Sequence, residues 1–353
     1  MKIVTIIGAR PQFIKAASLS RAIAKHDDIE EVIVHTGQHF DTNMSEVFFT
    51  EMQIPKPHYN LDINSLGHGA MTGRMMEQIE KILIKEKPDW LLVYGDTNST
   101  LAGALAAKKL KIKVAHVEAG LRSYNMKMPE EVNRILTDRI SDVLFCPTQQ
   151  AIDNLESEGY NNIDCKVVNV GDIMYDSALF YNTLENEGVK GLPKNYILAT
   201  VHRAENTDDL QKLKNIFSAL DDIHKEYPIV LPLHPRTKNI LEANGIKTYI
   251  QIIEPVGYLD MVSLIKNSKA VITDSGGLQK EAYFFKKQGF TLRDQTEWVE
   301  LIEIGCNQLI DVLNDDIAAT VLNSIDKELD FSKEIYGEGA TSEKILEVLM
   351  NFN

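Results

Sequence analysis

The stretch V-I-T-D-S-G-G-L-Q-K-E-A, residues 271–282, joins a short apolar run, an abrupt Ser-Gly-Gly turn and the rhythm of a helix. It reads as a buried parallel strand ending at Asp274, followed at once by a helix. At the start of such a helix the first N–H groups lack intrahelical partners, and the helix dipole favours negative charge. Ser275, Gly276 and Gly277 let the backbone approach a phosphate closely. Glu281, four residues beyond Gly277, is expected near the mouth of the site, where an acceptor suits sugar hydroxyls. The segment points to a nucleotide-sugar diphosphate; the alternative is an ordinary strand–helix turn.

The same alternation runs through the whole chain. Strand-like runs occupy 2–7, 31–35, 90–94, 113–117 and 142–146, then 196–201, 228–233, 249–253, 269–273 and 290–292. Helix-period segments lie between them, at 12–25, 69–86 and 98–110, and again at 207–225, 236–244, 258–267 and 278–287. Continuous apolar strands alternating with helices indicate parallel sheets covered on both faces. The expected class is α/β, with two Rossmann-like doubly wound domains. Their spans are 1–170 and 171–337, and residues 338–353 form a last helix that crosses back to the first domain. The linker is expected within 168–195. Ligands of open parallel sheets bind beyond the carboxyl ends of the strands, so the site is expected in the cleft between the domains.

At 353 residues the chain is long enough for two domains. A formal charge of −14 and a pI near 5.2 argue against nucleic acid as partner. They leave room for a phosphate ligand, because local cations and helix ends override the global field. No apolar run nears the roughly 20 residues needed to span a bilayer, and the start M-K-I-V-T-I-I-G-A-R reads as a first strand. Three scattered cysteines, Cys146, Cys165 and Cys306, suggest a reducing cytoplasm and no metal site.

Each remaining motif falls at a strand end. G-A-R-P-Q-F-I-K, 8–15, places Arg10 and Lys15 around a helix N-terminus, suited to phosphate. Y-G-D-T-N-S-T, 94–100, sets Asp96 after a strand, though Asp96 or Asn98 also suits the cap of the next helix. H-V-E-A-G-L-R, 116–122, and P-E-E-V-N-R, 129–134, add Glu118, Glu130 and Glu131. Clustered carboxylates would raise one another's pKa and supply both an acid and a base. V-H-R-A-E-N, 201–206, offers His202 to a phosphate oxygen, or as a structural histidine. L-P-L-H-P-R-T, 231–237, supplies His234 and Arg236, and R-D-Q-T-E-W-V-E, 293–300, supplies Arg293, Asp294 and Glu297. His35 and His39 have the spacing H-x-x-x-H, but the intervening T-G-Q reads as a turn, so no metal is expected.

These motifs, in this order over almost the full chain, resemble the non-hydrolysing UDP-N-acetylglucosamine 2-epimerases. The resemblance implies a GT-B architecture, a cytoplasmic homodimer without cofactor, and reversible inversion at C2 of a UDP-2-acetamido sugar. Its chemistry is anti-elimination of UDP to a 2-acetamidoglucal, then protonation at C2 and re-addition of UDP. By motif match Asp96, Glu118, Glu130 and His202 take the catalytic positions. Arg10, Lys15, Ser275, Gly276 and Gly277 take the diphosphate and sugar contacts, and Glu281 the ribose. Gln38, Arg74 and His234 fit an allosteric UDP-GlcNAc site, although Asp41 stands where a glutamine is usual. Two further departures are Trp298, in place of an arginine that contacts ligand, and Gln288–Gly289, in place of a proline-containing loop. The variants of four motifs resemble a branch acting on UDP-2,3-diacetamido-2,3-dideoxy-glucuronic acid, which makes the mannuronic epimer for surface polysaccharide. The alternatives are a hydrolysing UDP-sugar 2-epimerase and a GT-B glycosyltransferase.

Overall fold

Each apolar run named above forms a strand in the computed structural model of the chain, which describes residues 1–38, 49, 53–184 and 187–352, the side chain of Arg10 apart. The chain divides into two units, Met1–Phe180 with Glu334–Asn353, and Tyr181–Lys333.

The first unit carries β1 (Lys2–Ile7), α1 (Arg10–Ile23), β2 (Glu30–His35), β3 (Tyr59–Asn60), α2 (His68–Glu86), β4 (Trp90–Tyr94) and α3 (Asn98–Lys109). It continues with β5 (Lys113–Val117), α4 (Pro129–Ile140), β6 (Val143–Cys146), α5 (Gln149–Ser157), β7 (Lys166–Asn169) and the start of α6 (Ile173–Thr183). Its strands pair in the order β3-β2-β1-β4-β5-β6-β7, all parallel. Val4, Ile6, Leu91 and Val93 of the central strands pack against Met75, Ile79 and Leu83 of α2. Because parallel strands are buried on both faces, β4 is buried at every position.

The second unit contains β8 (Ile197–Thr200), α7 (Ala204–Thr207), α8 (Leu210–His224), β9 (Ile229–Pro232), α9 (Pro235–Ala243), β10 (Gln251–Ile253) and α10 (Tyr258–Asn267). Then come β11 (Ala270–Thr273), α11 (Gly276–Phe284), β12 (Gln288–Thr291), α12 (Val299–Glu303), β13 (Asn307–Leu309) and α13 (Ile317–Leu322). Its parallel sheet has the order β10-β9-β8-β11-β12-β13. In each sheet the strand order reverses once, at β1/β4 and at β8/β11. Such switch points open the crevice in which doubly wound sheets bind ligands.

Two readings of the sequence change. The expected linker, 168–195, holds the helix expected within it, α6, but it begins in the end of β7, a half-buried edge strand that the apolar runs did not mark. Gln288 and Gly289 are not in a loop but begin β12, where a Cβ on Gly289 would lie 2.8 Å from Asn307 Oδ1. The last helix, α14 (Thr341–Met350), packs against α1. Its first N–H groups, on Thr341 and Ser342, donate to Asp176 of α6 at 3.1 and 2.8 Å, so one helix supplies the N-terminal acceptor of another.

Candidate active site

At the β1/β4 switch point, Gln12 fixes the two loops to each other. Its Oε1 accepts from Gly8 and Ala9 N–H at 2.8 and 3.1 Å, while its Nε2 donates to the Tyr94 carbonyl at 2.7 Å. The residue is buried, so this locks the start of α1 against the loop after β4. Helix α3 is capped by Thr97, whose hydroxyl accepts from Thr100 N–H, and not by Asp96 or Asn98. Asp96 is thereby free of cap duty and pairs with Arg134 of α4. Arg134 also donates to Glu131 Oε2 at 2.9 Å.

Glu118 follows β5 with φ of +65°, in the left-handed region. A non-glycine residue there costs on the order of 1–3 kcal/mol and persists only where its surroundings fix it. Its buried carboxylate pairs with Lys15 of α1 and lies beside Gly95, where a Cβ would stand 3.5 Å from Oε2. The expected cluster of mutually repelling acids therefore takes another form: Asp96 and Glu118 each hold a cation. Glu131 is a buried structural carboxylate, accepting from Ser123 and Tyr124 N–H at 3.0 and 2.8 Å. Glu130 is exposed. A cavity of about 250 Å³ brings Lys15, Gln38, Asp96, Asn98, Glu130 and Asn133 together. Asn133 donates to the Asp96 carbonyl at 2.9 Å, which ties α4 to the loop. Arg10 begins α1, but its side chain lies outside the described residues, as do His39 and Asp41.

At the β8/β11 switch point, buried Asp274 does not face outward. It accepts from His202 and Arg203 N–H, each at 3.0 Å, and from Asn206 Nδ2 at 3.3 Å. The half-exposed His202 ring lies with Nδ1 3.3 Å from Asp274 Oδ1. Ser275 caps α11 with its backbone and Gly276 starts the helix. A Cβ on Gly276 would lie 2.7 Å from Glu297 Oε1 and 3.6 Å from Arg203 Nη2. Burial alone would push the Glu297 carboxyl up, but Arg293, at 3.0 Å, and Arg203 outweigh it and hold it below the usual range. Two arginines and an acid thus surround a helix N-terminus, a setting suited to an anion. Glu281 lies on α11 and is buried.

The remaining residues stand apart in character. Gln38 accepts from Ser99 N–H at 3.0 Å, Arg74 is exposed on α2, and His234 caps α9 by accepting from Arg236 N–H at 3.2 Å. Buried Trp298 stacks under Lys280, whose Nζ lies 4.1 Å from the indole centroid. Among the described residues no group of His, Cys, Asp and Glu has the arrangement of a metal site, and no helix is long and apolar enough to cross a membrane. The sequence reading passed over Gln12, Asn133 and Arg134. The signal for Arg134 was its place three residues after Glu131, on the same helix face.

Comparison with known proteins gives this geometry a context. The family model described as UDP-N-acetylglucosamine 2-epimerase matches residues 21–350. The chain is 56% identical to the UDP-2,3-diacetamido-2,3-dideoxy-D-glucuronate 2-epimerase of Pseudomonas aeruginosa, over 99% of each chain. It superposes with a TM-score of 0.87 and 43% identity, over 99% of each chain, on the Methanocaldococcus jannaschii UDP-GlcNAc 2-epimerase in complex with UDP-GlcNAc and UDP. With the Neisseria meningitidis UDP-GlcNAc 2-epimerase bound to UDP-GlcNAc the TM-score is 0.84 and the identity 31%, over 99% of this chain and 100% of that one. With two doubly wound sheets, acids at one switch point and an anion-suited helix end at the other, the chain belongs to the UDP-N-acetylglucosamine 2-epimerase family.

Proposed function

We propose that this protein inverts C2 of a UDP-2-acetamido sugar reversibly, by anti-elimination of UDP and its re-addition. The observation that carries the reading is the cavity at the β1/β4 switch point, where Asp96, Glu130 and Lys15 converge and Glu118 lies behind Lys15. The C2 proton is not acidic, so its removal needs strong assistance to the departing diphosphate. Ser275, Gly276 and Gly277 at the start of α11 supply that assistance as N–H dipoles, Arg203 as a cation and His202 as a hydrogen-bond donor to a phosphate oxygen. Lys15 and Arg10 complete the diphosphate and sugar contacts, and Glu281 holds the ribose. Asp96, Glu118 and Glu130 serve proton transfer at the two faces of C2.

The preferred substrate is the 2,3-diacetamido-2,3-dideoxy-glucuronate form, supported by the 56% identity to the Pseudomonas aeruginosa enzyme. The product is a precursor of surface polysaccharide, and the enzyme acts as a cytoplasmic homodimer. Gln38, Arg74 and His234 are assigned to an effector site for UDP-GlcNAc.

The test is incubation in deuterated water with UDP-GlcNAc and, separately, with the diacetamido-uronate, followed by NMR. Deuterium at C2 with the UDP linkage retained is the expected result. Free sugar indicates hydrolysis, and silence with both substrates overturns the reading.

A further inference from the structure

Beneath the first unit's acids lies a buried network that none of the proton-transfer roles uses. His116, the penultimate residue of β5, is wholly buried. Its Nε2 faces the Gly95 carbonyl at 2.7 Å, and its Nδ1 faces Asp138 Oδ1 at 2.7 Å. Gly95 immediately precedes Asp96. The other oxygen of Asp138 accepts from Gly120 N–H at 3.2 Å and from Arg122 Nη1 at 2.7 Å. Arg122 in turn grips Glu158 through Nε and Nη2, at 2.7 and 2.8 Å. Asp138 itself sits on α4, two turns beyond Glu130.

One carboxylate therefore reaches three places. Through His116 it fixes the carbonyl next to Asp96. Through Gly120 it fixes the far side of Glu118, whose own φ is left-handed and needs outside restraint. Through its helix it is rigidly connected to Glu130. Neutral hydrogen bonds would hold the loops more loosely, because bonds to an ionised acceptor are shorter and about twice as strong. The arrangement is also well compensated: Asp138 is fully buried, yet His116, Arg122 and Gly120 meet its oxygens on both sides. Burial would raise the Asp138 carboxyl, and the His116 and Arg122 contacts reverse this and hold it below its ordinary value.

We infer that His116 and Asp138 are positioning residues for the reaction, holding Asp96, Glu118 and Glu130 in mutual register. The inference rests on the epimerase reading, since it assigns the network a role only if those three acids transfer protons. It predicts a specific defect. The acids would remain present but displaced, so turnover suffers while substrate affinity does not. A displacement of about 1 Å at a reacting group costs on the order of 100-fold in rate.

The test uses the full chain carrying Asp138→Asn or His116→Gln, with folding followed by thermal melting and UDP affinity by calorimetry. The expected result is a kcat lower by about 100-fold, with KM and the Kd for UDP within about threefold of the parent. Adding Asp96→Asn to Asp138→Asn is expected to cost much less than the sum of the two single effects, because both act through one group. Folded variants that keep kcat within threefold overturn the inference. So do variants that lose kcat and UDP affinity together, and so does failure of both variants to fold, which would make the network a support of the fold alone. If the parent protein itself shows no C2 exchange with any UDP-sugar, the epimerase reading has failed instead, and the two failures are told apart by that control.

Discussion

Asp274 and His202 are joined through the main chain: the buried carboxylate accepts the His202 N–H at 3.0 Å, and the same oxygen accepts the Arg203 N–H. The motif that follows β8 is thus shaped by the residue that ends β11. A carboxylate at this point aims two side chains, His202 and Arg203, toward the N-terminal end of α11. The Ser-Gly-Gly turn and the histidine motif are one device built from two switch-point strands.

Asp274→Asn tests this. An amide keeps one acceptor for the two N–H groups but loses the charge that strengthens these bonds and puts a donor in place of the second oxygen, at a cost of about 1–3 kcal/mol. Unfolding in urea, followed through Trp298 in the same unit, should show that loss. Trp90 belongs to the first unit, so a transition resolved by the two tryptophans should shift only in the Trp298 component. An unchanged midpoint would show that the carboxylate charge is not needed.

Arg134→Met removes the cation shared by Asp96 and Glu131. Glu131 keeps its Ser123 and Tyr124 donors, so the fold should survive. Asp96 loses both its charge partner and its orientation. A fall in kcat/KM of about 100-fold is expected, with UDP affinity within threefold. Steady-state kinetics with the UDP-sugar that shows C2 exchange, beside calorimetry with UDP, checks it; equal loss in both would make Arg134 a ligand contact instead.

Trp298→Arg introduces the arginine that the motif resemblance leads one to expect and should harm this chain. The indole accepts the Lys280 ammonium on its face, both being buried. A guanidinium there would place two cations together out of water, at a cost of about 3 kcal/mol. Adding Lys280→Glu turns the repulsion into a pair and should recover most of the loss. Melting temperatures of the two single variants and the double variant measure the coupling, and additivity would disprove it.

Glu31 makes stability depend on pH. Burial pushes its carboxyl above the ordinary value, against the hydrogen bond from Thr5 Oγ1 at 2.6 Å. The folded state therefore binds this proton more tightly than the unfolded chain. Stability from this group is full below the unfolded pKa, about 4.3, and is lost as pH rises through the raised folded value. Glu31→Gln keeps the acceptor for Thr5 and removes the charge. It should raise the melting temperature at pH 8 and make no difference near pH 4. A variant equally affected at both pH values would contradict this account.

The central strands were legible because burial on both faces demands unbroken apolar runs. β3, β7 and β13 were not: Tyr59–Asn60 is two residues long, Lys166–Asn169 is half-exposed at an edge, and Asn307–Leu309 is largely polar. What makes these strands is a neighbour already in place. In the site, Asp96 and Glu118 were visible because strand-end acids follow apolar runs in sequence, and Glu130 because it stands behind a proline that opens a helix. Their partners were hidden. Arg134 and Asp138 occupy buried positions of α4, where the helical period leads one to expect apolar residues, and only the tertiary structure shows which acid or ring each one meets. The same holds for Asp274, which reads as part of a phosphate turn yet spends both oxygens on the loop after β8.

The attachment of α14 to α1 has a consequence for how the protein is made. The first unit needs Asp176 to receive the N–H groups of Thr341 and Ser342, yet those residues follow the whole of the second unit in the chain. On the ribosome the second unit is finished while the first still lacks a helix. Nascent chains thus hold an incomplete face of α1 and α6 exposed through the synthesis of the whole second unit, Tyr181–Lys333, which is the interval in which a chaperone or a like chain would find it.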